Sequence, residues 1–206
     1  QLAKQYNAVV MSDCAHAIGV IGEYGAGAAS HFDVEDQVDL IGGTFSKSLA
    51  SIGGFIASDA HTVEYIKHNS RSLVFSASPT PASVAAALAS LDIIESDDSL
   101  RLQLLKNTEY AIAAFNSLGF DTGKTETPII PLFIKDDKKT HEMAMLLLEK
   151  GIFVNSIAAP AVSRKNSMIR FSLMATHTRE QIDLAIDTIY QCAKKLEVSL
   201  SIEAHQ

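Results

Sequence analysis

Residues 42–58 read GGTFSKSLASIGGFIAS and place a single lysine, Lys47, among glycines and small hydroxyl residues. The apolar run at residues 38–41 (VDLI) predicts a short buried strand before this lysine, and residues 54–57 (GFIA) predict another strand after it. Lys47 is therefore expected in a loop just beyond the end of a strand. Such a lysine either points into solvent or takes part in chemistry, and residues elsewhere in the chain distinguish the two.

The 206 residues have the composition of a globular protein, with 47% apolar and 20% charged residues. The formal net charge of −7 argues against nucleic-acid binding, which needs clustered positive charge. No apolar run approaches the roughly 20 residues that span a bilayer, and two cysteines, Cys14 and Cys192, provide no disulfide framework. We therefore expect a cytoplasmic protein with no membrane span. The chain opens without a methionine and in the middle of a helix-to-strand pattern, so it is expected to be the C-terminal part of a longer protein; processing of a complete protein is the alternative.

Short strands interleaved with helical stretches predict an α/β fold. Strands are expected at residues 8–11, 38–41, 54–57, 128–135, 152–155 and 168–173. Helices are expected to start at Pro81 (a buried helix), to cover residues 99–118 and 141–150, and to run from a Thr178–Gln181 capping box to about Leu196. The change in pattern predicts two parts, a larger α/β portion at residues 1–100 and a small α+β portion at residues 101–206.

Besides the Lys47 segment, two places in the chain carry side chains suited to chemistry. Asp13 and His16 lie in SDCAHAIG directly after the first predicted strand, where open α/β sheets bind ligands at the carboxyl ends of their strands. Arg170 lies inside the strand MIRFSL between apolar residues, and a buried charge of this kind needs a partner or a ligand. A turn aspartate, a loop histidine and an arginine paired with a core carboxylate are the structural alternatives.

The residues around Lys47 exclude one nucleotide site and favour another cofactor. A phosphate-binding P-loop requires GxxxxGK[ST], but Ser46 precedes the lysine and Ile41 occupies the first glycine position. A lysine amine, a carboxylate, small hydroxyl groups and a fixed arginine suit pyridoxal 5'-phosphate (PLP) instead. The amine can bind the cofactor aldehyde, the carboxylate can keep the pyridine nitrogen protonated, and the arginine can hold an amino-acid carboxylate. No metal site is predicted.

Five motifs in register then identify a family resemblance. DCAHAIG, GTFSKS, the following GGF, FSASPTPA and IRFSLMATHT resemble the α-oxoamine synthases, which are fold-type I PLP enzymes, over essentially the whole chain. The resemblance implies that residues 1–100 are the C-terminal part of the large PLP-binding sheet domain and that residues 101–206 form the small C-terminal domain. Within the family, TFSKS is similar to the serine palmitoyltransferases, whereas aminoketobutyrate ligases and aminooxononanoate synthases more often have glycine before the lysine.

The resemblance also implies a role for each matching residue. Lys47 would hold PLP and act as the base at the substrate α-carbon, Asp13 would pair with the ring nitrogen, and His16 would hydrogen-bond the ring hydroxyl. Thr44 and Ser46 would contact the cofactor phosphate, and Ser76 would contact it across a dimer interface. Arg170 would hold the substrate carboxylate. Family members also use a glycine-containing phosphate loop and an aromatic ring stacked on the cofactor. Neither appears before Asp13, so the 206-residue chain alone is expected to be inactive.

The implied activity is a PLP-dependent C-acyltransferase. It would condense an amino acid, L-serine by the subfamily resemblance, with an acyl-CoA such as palmitoyl-CoA, and release CO₂ and a 3-ketosphinganine-type aminoketone. A homodimer with the active site at the subunit interface is the implied assembly. Three alternatives remain open: another α-oxoamine synthase, an aminotransferase of the same fold type, and a non-catalytic dimerisation module.

Overall fold

The computed structural model describes residues 2–201, which divide into two compact units at the boundary between Arg101 and Leu102. Each unit contains one three-stranded sheet with helices. The fold is therefore mixed α/β, as the sequence predicted. The assignment of the two units as the end of a large cofactor domain and a small C-terminal domain stays a prediction.

The first unit is built on a mixed sheet in the order β1-β2-β3. Strand β1 (Met11–Asp13) runs parallel to β2 (Leu40–Thr44), and β2 runs antiparallel to β3 (Gly54–Ala57). Asp13 lies opposite Gly42, and the Cys14 N–H continues the ladder by donating to the Gly42 carbonyl at 2.7 Å. The helices of this unit are α1 (Leu2–Gln5), α2 (Ala28–His31), α3 (Ala60–Asn69), α4 (Arg71–Val74) and α5 (Pro81–Ser96).

The first two strands lie later in the sequence than predicted, whereas β3 covers the predicted residues. Pairing begins where Asp39 and Leu40 donate to the Val10 carbonyl, and Val9 before them is 72% exposed. An apolar run becomes a strand only where a neighbouring strand supplies hydrogen-bond partners. As a result, Asp13 is the last residue of β1 rather than a residue beyond the end of the strand.

Helix α5 begins at Pro81 as predicted, because the Thr80 hydroxyl caps it by accepting from the Ser83 N–H. The prediction that it is buried was wrong for the described chain. Ala87 is its one buried residue, and its apolar side chains Val84, Leu88 and Ile93 are 48%, 58% and 57% exposed. Thr80 and Pro81 determine where the helix begins, but no segment among residues 2–201 covers this apolar surface.

The second unit has an antiparallel sheet in the order β4-β6-β5. Its strands are β4 (Ile129–Phe133), β5 (Asn155–Ile157) and β6 (Met168–Ser172). The helices are α6 (Ser99–Ser117), α7 (Asp137–Glu149) and α8 (Arg179–Lys195). The sequence boundary between the two units falls within α6. The Thr178–Gln181 capping box that starts α8 is confirmed. Helix α7 begins before the predicted His141 because Asp136 caps it, and β5 shares only Asn155 with the predicted run at residues 152–155.

The core of the second unit lies on one face of its sheet. Alternate strand residues point into it, and α6, α7 and α8 supply the other side: Ile130, Leu132, Ile169, Phe171, Phe115, Met143, Leu147, Ile182 and Ile189. Phe115 is fully buried and packs edge-on against Phe120 and Phe171, with ring centroids 5.5 and 5.3 Å apart. Because side chains alternate along a strand, Arg170 lies on the opposite face from Ile169 and Phe171.

None of the helices formed by residues 2–201 combines the length and apolarity needed to cross a membrane. In the same residues, no group of three or more histidine, cysteine, aspartate or glutamate side chains is arranged to hold a metal ion.

Candidate active site

Asp13 occupies the carboxyl end of β1, beside the strand that leads to Lys47. Its side chain is exposed, and Oδ1 accepts the Ala15 N–H at 2.9 Å. This bond fixes the carboxylate over the start of the next turn. The parallel register pairs Asp13 with Gly42, so Asp13 lies at the carboxyl ends of β1 and β2, near the start of the Lys47 loop. Such a position at the carboxyl ends of parallel strands is the usual ligand-binding edge of an α/β sheet.

His16 lies on the turn that follows Asp13. The Cys14 carbonyl accepts both the Ala17 N–H, at 2.9 Å, and the Ile18 N–H, at 3.0 Å, which closes the turn. Cys14 and Ala17 point into the unit and are buried, whereas His16 is exposed. The turn therefore leaves His16 exposed, three residues after Asp13.

Thr44 and Ser46 form a small hydroxyl cluster before Lys47. Thr44 Oγ1 donates to the Gly53 carbonyl at 3.1 Å, so its proton is committed there. The Ser46 hydroxyl, 2.9 Å away, is then the donor to Thr44 Oγ1, and the Ser46 N–H also points at that oxygen at 3.3 Å. The exposed Ser46 can turn its hydroxyl towards an anion without breaking the bond between Thr44 and Gly53.

The backbone around Lys47 is held at both ends of its loop. The Phe45 N–H donates to the Gly53 carbonyl at 2.9 Å, and the Ser51 N–H donates to the Phe45 carbonyl at 2.8 Å. The Phe45 ring stacks on Phe55, with centroids 6.2 Å apart. Lys47 itself is exposed, and within residues 2–201 its amine has neither a hydrogen bond nor an ion pair. A fixed backbone therefore carries an amine that is open to a ligand.

Two serines that the sequence did not single out anchor this loop to the rest of the first unit. Ser48 Oγ donates to the Ile18 carbonyl at 2.6 Å, and Ser51 Oγ donates to the Ser83 carbonyl at 2.6 Å. Their partners are 30 and 32 residues away in sequence. The hydroxyl-rich composition of the loop was visible in the sequence, but the carbonyls that these serines reach were not.

Ser76 belongs to residues 71–80, all of which are exposed. Its N–H donates to the Leu73 carbonyl at 3.4 Å. Within the described chain, no hydrogen bond links Ser76 to Thr44, Ser46 or Lys47. The structure therefore brings Thr44 and Ser46 into contact and does not bring Ser76 to them. The phosphate contact expected of Ser76 across a dimer interface stays a prediction.

Arg170 lies in the second unit, on the central strand β6. Its Nη2 donates to Asn155 Oδ1 at 3.0 Å, and its Nε is buried with no hydrogen-bond partner. The ion pairs of residues 2–201 do not include Arg170, so the structural alternative of a pair with a core carboxylate is not what holds it. A buried donor without a partner is unusual in a folded protein, so the guanidinium of Arg170 is only partly satisfied by the described residues.

Comparisons with known proteins agree with these motifs. A serine palmitoyltransferase of Sphingobacterium spiritivorum is 52% identical over 198 residues, which cover 96% of this chain and 50% of the relative. An 8-amino-7-oxononanoate synthase of Petrotoga mobilis is 41% identical over 196 residues, with coverage of 95% and 50%. A solved serine palmitoyltransferase from S. paucimobilis with a bound PLP–myriocin aldimine aligns with a TM-score of 0.89 at 28% identity, covering 96% of this chain and 50% of that chain.

These relatives confirm the resemblance to the α-oxoamine synthases and to fold-type I PLP enzymes. The chain spans about half the length of the curated relatives it matches. The profile of the aminotransferase class I and II family matches residues 1–189. This match covers most of the sequence, and the chain therefore belongs to the aminotransferase class I and II family.

Proposed function

We propose that this chain carries the catalytic lysine of a PLP-dependent acyltransferase that condenses L-serine with a long-chain acyl-CoA, such as palmitoyl-CoA. Loss of CO₂ would give a 3-ketosphinganine-type aminoketone. The observation that carries the proposal is the Lys47 amine, which has no partner within residues 2–201 and lies on a loop fixed at both ends. The similarity to serine palmitoyltransferases at 52%, 46% and 42% identity supports the choice of substrates.

The residues of the first unit fit this cofactor. When bound, PLP supplies a protonated pyridine ring that accepts an electron pair from the substrate α-carbon. Lys47 would hold the cofactor covalently and move the α-proton through its Nζ atom. Asp13, at the sheet edge beside Gly42, would keep the ring nitrogen protonated, and His16 would donate to or accept from the ring hydroxyl.

The remaining expected contacts orient the charged ends of the cofactor and substrate. Ser46 and Thr44 would hydrogen-bond the phosphate, with Ser76 of a second copy of the chain completing the site in a homodimer. Arg170 would bind the α-carboxylate of the amino acid through its guanidinium, whose charge no carboxylate of residues 2–201 neutralises. Amino acid and acyl-CoA are the proposed partners, and a cytoplasmic location stays a prediction.

Covalent trapping tests the role of Lys47. The protein, expressed from its complete open reading frame, is loaded with PLP, reduced with borohydride and mapped by mass spectrometry. We expect the label on Lys47. Lys67 is the matched control because its amine is exposed but engaged by Glu64 Oε1 at 2.7 Å. Label on Lys67 and not on Lys47 would contradict the assignment, and a protein that takes up no PLP would favour a non-catalytic dimerisation module.

The second candidate function is that of an 8-amino-7-oxononanoate synthase, since relatives with that name are 36% to 41% identical. The product name implies condensation of L-alanine with a seven-carbon dicarboxylic acyl-CoA. Product analysis with L-serine and palmitoyl-CoA against L-alanine and pimeloyl-CoA separates the two activities. Transamination without any acyl-CoA would instead indicate an aminotransferase.

A further inference from the structure

The sheet of the second unit gives Arg170 one polar neighbour directly across the strands. Pro131 of β4 and Asn155 of β5 are its two register partners. Proline offers neither a polar side chain nor a backbone N–H. Asn155 is half-buried, and its Oδ1 accepts from Arg170 Nη2 at 3.0 Å. The orientation of the guanidinium within the sheet therefore depends on the Asn155 amide.

The charge of Arg170 is left uncompensated by the protein. No carboxylate within residues 2–201 forms an ion pair with it, and the half-buried residue has a buried Nε without an acceptor. A neutral acceptor orients a guanidinium through a hydrogen bond that is weaker than one to a carboxylate. A carboxylate, however, would also neutralise the charge and compete with any anion that arrives.

We propose that Asn155 is a positioning residue that tethers Arg170 through a neutral hydrogen bond and so keeps its full positive charge for the carboxylate of an amino-acid substrate. This inference rests on the proposed function and deepens it. One Nη2 proton is committed to Asn155, while the planar fork retains further donors for a bidentate carboxylate. The preference for a ligand with a carboxylate then depends on residue 155 being polar and uncharged.

Two substitutions separate the tether from the charge. Asn155→Leu keeps a similar size but removes the acceptor, whereas Asn155→Asp keeps an acceptor and adds a competing negative charge. Ser156→Ala is the matched control on the same strand, because Ser156 Oγ lies 3.1 Å from His141 Nδ1 and does not bond to Arg170. It removes a hydrogen bond from β5 without touching the guanidinium.

The experiment titrates the complete PLP-loaded protein with L-serine and with ethanolamine, which is serine without its carboxylate, and follows the absorbance of the cofactor. For Asn155→Leu, serine affinity should fall about three- to tenfold, as loss of a neutral hydrogen bond implies. For Asn155→Asp, it should fall about tenfold or more, as a charged competitor implies. Ethanolamine affinity should stay within about twofold of wild type in both variants, and Ser156→Ala should change neither affinity.

A second readout does not depend on the cofactor. The melting temperature of the cofactor-free protein should be unchanged or higher in Asn155→Asp, because the new carboxylate pairs with Arg170 while serine affinity is lost. An equal loss of affinity for serine and ethanolamine, accompanied by a lower melting temperature, would overturn the inference in favour of a purely structural role. Retention of the serine preference in Asn155→Asp would overturn it as well. Failure of the wild-type protein to prefer serine over ethanolamine would instead refute the proposed function, and the inference with it.

Discussion

Replacing Gly53 with alanine tests how strongly the backbone beside Lys47 is constrained. Gly53 has φ of 131°, a region that residues with a Cβ seldom adopt, and an added Cβ would lie 2.9 Å from Cδ2 of Phe45. Relief of that contact would move a ring that stacks on Phe55. Backbone strain contributes about 1–3 kcal/mol and loss of the aromatic pair about 0.5–1.5 kcal/mol, so we expect the loop to lose about 2–4 kcal/mol of stability.

The functional consequence follows from the Gly53 carbonyl, which accepts both the Phe45 N–H and the Thr44 hydroxyl. A change of φ at Gly53 would turn this carbonyl and release the hydroxyl cluster that precedes Lys47. We therefore expect weaker PLP binding by the complete protein carrying Gly53→Ala, together with faster amide hydrogen exchange in residues 42–58. Equilibrium titration measures the first effect, and mass spectrometry of exchanged peptides measures the second.

Gly151→Ala is the matched control. Gly151 also has a positive φ, 80°, but an added Cβ would meet no atom within 4 Å. Its cost should be limited to the left-handed backbone, about 1 kcal/mol, with no effect on PLP binding. The reasoning is refuted if Gly53→Ala leaves exchange in residues 42–58 and PLP affinity as they are in wild type, or if both glycine variants perturb their own segments equally.

Three further predictions concern single side chains. Asp13→Asn should slow exchange of the substrate α-proton about tenfold or more, because the negative charge that favours a protonated ring nitrogen is removed; wild-type exchange by NMR would contradict this role. Arg170→Lys should lower L-serine affinity about tenfold or more while PLP stays bound, since lysine lacks the planar fork; a lowered melting temperature with unchanged serine affinity would make Arg170 structural. The hydrogen bond from the Tyr110 hydroxyl to Asp183 raises the pKa of Tyr110 above its ordinary value of 10.0. The folded state therefore holds this proton more tightly than the unfolded state does. The free energy of unfolding of the wild type, measured with urea, should fall as the pH rises above about 10. Tyr110→Phe should be about 1 kcal/mol less stable at neutral pH and should lack this decline.

The sequence by itself determined the features that depend on a few neighbouring residues. The Thr178–Gln181 capping box and the proline at the start of α5 were predicted correctly, and α6 ends within one residue of its predicted end at residue 118, because a helix terminus is satisfied by groups within one turn. The motifs around Asp13 and Lys47 indicated the family because the types and order of the reactive side chains are properties of the sequence itself.

Only the tertiary structure decided which groups these side chains meet. Ser48 reaches the Ile18 carbonyl 30 residues away, and Arg170 meets Asn155 through the pairing of β5 with β6. The ends of β1 and β2 likewise depended on partners across the sheet, and the exposure of α5 depended on which segments pack over it. Contacts of this kind are set by the register between distant strands and by packing in three dimensions, and neither is encoded in the local spacing of residues.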